Sequence, residues 1–97
     1  MATFIGLMNF TDQGLRNVKD SPKRAKAFED IAKRFGVTVK SIYWTQGQYD
    51  IVITLEAPDE AVASAAMLSV GALGNVRGQS LRAFSAEEFG RILGKMS

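Results

Sequence analysis

The stretch at residues 3–10 constrains the fold more than any other part of the sequence, because it is apolar on both faces. In an extended chain, Phe4 and Met8 lie on one face, and Ile5 and Leu7 lie on the other. A strand with one face in water carries polar residues on that face, so a strand with this pattern is expected to be covered on both sides. We therefore predict a strand in the middle of a sheet.

The periodicity of the remaining hydrophobic residues predicts the order βαββαβ followed by a terminal helix. The predicted strands are 3–10, 37–45, 49–56 and 76–84, the predicted helices are 21–35, 57–73 and 85–96, and 11–20 is predicted as a turn or short helix. This is the ferredoxin-like α+β arrangement, with an antiparallel four-stranded sheet whose first and third strands are central. We expect one domain over residues 1–97.

The helices of such a fold cover one face of the sheet, and the sequence leaves no further segment for the other face. We therefore expect the chain to associate with itself, as a dimer or a larger even-numbered assembly. The predicted helix at 57–73 is apolar nearly all round, which is typical of a helix buried on more than one side. The terminal helix is predicted to turn an apolar stripe inward, formed by Phe89, Ile92, Leu93 and Met96.

Short local motifs predict where several elements begin and end. Ser21 before Pro22 is typical of a helix start, with the serine as N-cap. Ser85 and Glu88 have the spacing of a capping box. Gly36 fits the left-handed residue that follows a helix.

The hairpin between the second and third strands holds the first candidate site. Gly47 and Gln48 predict a two-residue type II′ turn, since that turn requires glycine at its first central position. Tyr49 and Asp50 follow directly, at the mouth of an otherwise apolar strand. Asp50 is a candidate base or ligand acceptor, with Tyr49 donating to a ligand oxygen. It is equally a candidate anchor that binds backbone N–H groups or an arginine, as acids near turns often do.

Three further side chains extend this candidate site. Arg77 and Arg82 are predicted on opposite faces of the fourth strand, available for an intersubunit ion pair, a pair with Asp50 or Glu56, or an anionic ligand. Trp44 adds aromatic surface for packing or for stacking on a ligand. With Asn9, at the end of the first strand, the candidate ligand-binding residues are Asn9, Trp44, Tyr49, Asp50, Arg77 and Arg82.

Composition argues against several classes of function. The sequence has no Cys and no His, which removes the disulfide, the zinc–thiolate site, the thiolate nucleophile and the serine–histidine relay. We expect no metal and no cofactor. The net charge is only +2, and the basic residues between Arg16 and Lys26, Arg24 among them, alternate with acids. A solvated helix face is therefore expected there, with no nucleic-acid partner.

The sequence shows no signal-peptide pattern and no apolar run near the ~20 residues that span a bilayer. We expect a cytoplasmic protein without a membrane partner.

Six blocks of sequence together resemble the GYD-domain family. The blocks lie at 9–14, 18–24, 47–50, 56–59, 74–77 and 81–84. Gly47, Tyr49 and Asp50 correspond to the Gly, Tyr and Asp that give the family its name. The resemblance covers nearly the whole chain and implies a dimeric α+β barrel. Because most of the family is uncharacterised, the resemblance implies almost nothing about function.

Three functional hypotheses follow. The first is a small oligomeric binding module, with a polar-rimmed pocket between sheet and helices for a small organic ligand. The second is a cofactor-independent oxygenase, isomerase or lyase acting on a small organic acid or aromatic, which is an analogy from fold. The third is a purely structural or regulatory oligomer.

Overall fold

The computed structural model describes residues 1–96 and has the expected α+β architecture. Its elements are β1 (Ala2–Phe10), α1 (Asp12–Arg16), a 3-10 turn (Val18–Asp20), α2 (Ser21–Arg34), β2 (Thr38–Trp44), β3 (Ile51–Ala57), α3 (Glu60–Ala72), β4 (Val76–Ala83) and α4 (Ala86–Leu93). The strands form one antiparallel sheet in the order β2-β3-β1-β4. The ferredoxin-like prediction is confirmed, including the central position of the first and third strands.

The core lies between α2, α3 and one face of the sheet. Phe4 and Met8 of β1 are buried on this face, as are Ile53 and Leu55 of β3. Phe28 of α2 packs in the same core. The alternation of buried and partly buried residues along both central strands shows that this face is the better covered of the two.

The other face of the sheet, called here the open face, is much less covered. It comprises Thr3, Ile5, Leu7, Asn9, Ser41, Tyr43, Val52, Thr54, Glu56, Arg77, Gln79 and Leu81. Ile5, Leu7 and Val52 are only partly buried, and Leu81 is 43% exposed. The two apolar faces predicted for β1 are therefore real, and only one of them is fully covered within the chain.

The hairpin turn differs from the predicted type II′ turn. Pairing between β2 and β3 ends at Trp44 and Ile51, and the Thr45 N–H donates to the Asp50 carbonyl at 2.8 Å. The Thr45 hydroxyl donates to the Tyr49 carbonyl at 2.6 Å, so a side-chain bond closes a four-residue loop at 46–49. The centre of the turn matches the prediction. Gly47 has a positive φ of 132°, as the first central position of the predicted turn requires.

The helices α3 and α4 are both less buried than the sequence suggests. In α3, the small residues Ala63 and Ala66 face the sheet, whereas Leu68 is 73% exposed. In α4, the capping box of Ser85 and Glu88 forms as predicted. Its apolar stripe, however, faces outward, and no residue of α4 is buried. None of the helices within residues 1–96 is long and apolar enough to cross a membrane.

Gly78 lies where β4 approaches the backbone of β1 most closely. A Cβ atom at this position would overlap the Leu7 carbonyl oxygen and would also crowd the Met8 Cα. Only glycine therefore permits β4 to approach β1 this closely.

Candidate functional site

A cavity of about 140 Å³ lies between α2, the end of α3 and the covered face of the sheet. Most of its lining is apolar and includes Phe28, Ile31, Ile42, Ile53, Val70 and Leu73. Trp44 closes one side from the edge strand β2. A cavity with apolar walls and few polar groups is the usual form of a small-molecule site.

Polar residues line the cavity in two places. Ser21 and Arg24 lie at the beginning of α2, and Ser69 and Asn75 lie in the last turns of α3 and in the loop after it. The Trp44 indole Nε1 donates to the Ser21 hydroxyl at 2.9 Å. Ser21 is therefore not the N-cap that the sequence predicts. The cap position is taken by Asp20, whose side chain makes no capping bond. Trp44 is 45% exposed, and its partly buried indole N–H finds its acceptor in Ser21.

Arg24 also lines the cavity and differs from its predicted role. Its Nη1 donates to the Asn17 carbonyl at 2.8 Å. Its Nη2 is buried and has no hydrogen-bond partner among residues 1–96. The prediction of a fully solvated basic face is therefore wrong at this residue. Lys26 does follow that prediction, since it is exposed and lies 3.9 Å from Asp30.

The hairpin acid Asp50 is bound to the backbone of β1. Its carboxylate Oδ2 accepts from the Phe10 N–H at 2.9 Å, and its own N–H donates to the Met8 carbonyl at 2.9 Å. Regular pairing between β1 and β3 ends at Met8 and Ile51. Beyond this point no backbone carbonyl of β3 is available to the Phe10 N–H, and the Asp50 carboxylate accepts from it instead. These contacts favour the anchor interpretation of Asp50.

Tyr49 lies across the open face rather than in the cavity. Its hydroxyl accepts from the Gln79 side-chain amide of β4 at 3.0 Å. Asn9 and Arg77 are register partners on β1 and β4, one pair beyond Leu7 and Gln79. The structure therefore brings Asn9, Tyr49, Asp50 and Arg77 to one end of the sheet.

Arg82 lies towards the other end of β4 and on the opposite face from Arg77, as predicted. Its guanidinium stacks over the rings of Phe84 at 4.4 Å and Phe4 at 5.5 Å. It donates to the carbonyls of Thr3 and Ala83 and lies 3.9 Å from Glu88. A pair with Asp50 or Glu56 is therefore not formed.

Glu88 lies in the first turn of α4, where its carboxylate takes part in the capping of that helix. The Ser85 backbone N–H donates to its carboxylate, and this bond, helped by the charges of Arg82 and Arg91, holds the pKa of Glu88 below its ordinary value. The shift therefore reflects the capping of α4.

Comparison with known proteins supports the resemblance noted in the sequence. The family model for the GYD domain matches residues 4–93. This chain belongs to the GYD domain family. It is 37% identical over 84 residues to a protein of Thermus thermophilus described as a glutamine synthetase and cystathionine beta-lyase binding protein, covering 86% of this chain and 88% of that relative. No solved structure gives a significant match.

Of the six candidate residues, only Trp44 lines the cavity of this GYD domain. The polar cavity residues that sequence analysis missed are Ser21, Arg24, Ser69 and Asn75. A signal for Arg24 was present, because it precedes Phe28 by four residues and so shares a face with the apolar stripe of α2. No cluster of His, Cys, Asp or Glu within the described part of the chain could hold a metal ion.

The anchor interpretation of Asp50 predicts a loss of stability in Asp50→Asn. The neutral amide keeps an acceptor for the Phe10 N–H but loses the charge-assisted part of the bond, so we expect the free energy of unfolding to fall by about 1 kcal/mol or more. For a domain of this size the melting temperature should fall by roughly 4–8 °C per kcal/mol.

Asp30→Asn is the matched control, because it removes one carboxylate from an exposed i,i+4 pair with Lys26. Such a pair contributes about 0.3–0.5 kcal/mol. Thermal melts at one protein concentration compare the two variants. Equal melting temperatures for Asp50→Asn and Asp30→Asn would contradict the anchor role.

Proposed function

We propose that this GYD domain is a homo-oligomeric binding module that takes a small organic ligand in the cavity between α2, α3 and the sheet. The observation that carries the proposal is the 140 Å³ cavity, with apolar walls and polar groups at the start of α2. An apolar cavity of about 150 Å³ is large enough to bind benzene. The domain, taken as residues 1–97, is expected to work in the cytoplasm, without a metal, cofactor, membrane or nucleic-acid partner.

Toluene is a suitable neutral probe of the cavity. Because a compound that binds only the folded state stabilises it by mass action, near-saturating toluene should raise the melting temperature of the wild-type protein. Ala25→Leu should reduce this rise, since Ala25 lines the cavity and a larger side chain fills part of it. Ala65→Leu, on the exposed side of α3, should keep the wild-type rise. An unchanged melting temperature of the wild type in toluene would contradict the cavity as a ligand site.

The incompletely covered apolar residues of the open face support the oligomeric part of the proposal. Four strands of this length present on the order of 500 Å² of sheet surface in each protomer. Two such faces together approach the ~1,200 Å² at the lower end of stable interfaces.

Leu7→Glu tests this interface, because Leu7 lies near the middle of the open face. A carboxylate there would be buried without a partner in the assembly, so we expect dissociation to monomers. Leu68→Glu, on the exposed side of α3, is the control and should leave the assembly intact. Light scattering at micromolar concentration measures both variants. A wild-type monomer, or dissociation by Leu68→Glu alone, would overturn the open-face interface.

Binding to a metabolic enzyme is a second candidate function. The description of the Thermus thermophilus relative favours it. The amphipathic helix α4 offers a suitable contact, since Phe89 and Leu93 are 51% and 48% exposed on one side of it. Helices of this kind bind by placing their apolar face in a groove of the partner.

Surface plasmon resonance against glutamine synthetase and cystathionine beta-lyase tests this second candidate. We expect saturable binding to at least one of the two enzymes, weakened at least about tenfold by Phe89→Glu, a loss of about 1.4 kcal/mol. Arg91→Gln changes the exposed polar side of α4 and should bind like the wild type. Absence of binding to both enzymes would contradict this candidate.

The enzyme hypothesis, which is an analogy from the fold, remains an alternative. Its candidate acid, Asp50, has its carboxylate bound to the Phe10 N–H, and Tyr49 is bound to Gln79. Neither residue lines the cavity. The geometry therefore supports binding better than acid–base chemistry.

A further inference from the structure

Among residues 1–96, Arg24 alone has a buried side-chain nitrogen or oxygen atom without a hydrogen-bond partner, and it lines the cavity. Nη1 is bound to the Asn17 carbonyl, but the buried Nη2 has no acceptor in this part of the chain. Among the described residues, the salt bridges join other pairs, and no carboxylate lies within 4.0 Å of this guanidinium. A buried N–H on a charged group is destabilising without an acceptor, so the arrangement calls for a functional explanation.

Ser21 places a second donor near this guanidinium. It precedes Arg24 by three residues on α2, which puts the two side chains on the same side of the helix. The Ser21 oxygen accepts from Trp44, so the proton of its hydroxyl remains for another bond. One cationic N–H and one neutral hydroxyl can serve the two oxygens of a carboxylate. A phosphate would have further charged oxygens against the apolar wall, where they could not be solvated.

The remaining walls determine what the carboxylate would be attached to. Phe28, Ile31 and Val70 are typical of a surface that contacts hydrocarbon. The volume of about 140 Å³ limits that hydrocarbon to about the size of one six-membered ring. We infer that the cavity binds a small aromatic or branched aliphatic monocarboxylate, with its anionic group on Arg24 and its apolar body between α2, α3 and the sheet. This inference rests on the proposed function and names its class of ligand.

Benzoate and benzamide test the charge of the ligand separately from its shape. They share the aromatic ring, but only benzoate carries an anionic group. Trp44 is the only tryptophan of the sequence and lines the cavity, so its fluorescence reports on binding there. We expect benzoate to bind the full-length wild-type protein at least about tenfold more tightly than benzamide. We expect 3-methylbutanoate to bind as well, since a branched aliphatic body fits the same wall. Isothermal titration calorimetry provides a second measurement of each affinity.

Arg24→Met removes the charge and keeps an unbranched side chain of similar reach. It should abolish the preference for benzoate over benzamide. The melting temperature of the unliganded protein should change by less than about 2 °C, because the loss of the exposed Nη1 bond to the Asn17 carbonyl is offset by removal of the buried Nη2, which has no partner in residues 1–96. Arg34→Met is the matched control: it lies on the same helix, is exposed, and should bind benzoate like the wild type.

Each contrary outcome has a distinct meaning. Equal affinities for benzoate and benzamide would overturn the carboxylate inference and leave the cavity as a site for neutral compounds. Failure of benzoate, benzamide and toluene to bind at millimolar concentration would overturn both the inference and the proposed ligand site. A large fall in the melting temperature of Arg24→Met would show that Arg24 is a structural residue and would also overturn the inference.

Discussion

The structure depends on the position of β1, which pairs with a strand on each side and carries apolar residues on both faces. Its pairing with β4 is close enough to exclude a side chain at residue 78. Its covered face forms the core with α2 and α3, and its other face presents Ile5 and Leu7. A 97-residue chain buries only about 60–65% of its unfolded surface, so leaving these side chains in water would be a substantial loss of stability. The two apolar faces of β1 therefore define the fold and are also the argument for self-association.

The cavity follows from how the two main helices pack against the sheet. α3 faces the sheet with Ala63 and Ala66, which permit a close approach. α2 faces it with Phe28, which is larger. Between them, Trp44 of the edge strand is held to the start of α2 by its bond to Ser21. The unequal side chains leave space beside Val70, and the bond to Ser21 fixes one wall of that space. The cavity thus arises from side-chain size and from one partly buried hydrogen bond.

The sequence predicted those features that depend on local chemistry and on periodicity. Examples are the capping box at Ser85, the left-handed glycine at residue 36 and the centre of the hairpin at Gly47. It did not predict features that depend on contacts between distant residues. Ser21 has the local sequence of an N-cap, but its hydroxyl is used by Trp44, 23 residues away. Arg24 has charged neighbours in sequence, yet helical geometry turns it towards the apolar side of α2.

The Gly-Tyr-Asp motif of the family and the cavity are parts of different surfaces. Gly47 forms the loop, Asp50 binds the end of β1, and Tyr49 reaches over β1 to Gln79 of β4. Together these contacts tie three strands of the sheet at one end of the open face. A motif that fixes the shape of the open face favours a role in assembly. The cavity lies on the other face and is lined by residues outside the motif, so a substitution in its lining need not alter the open face.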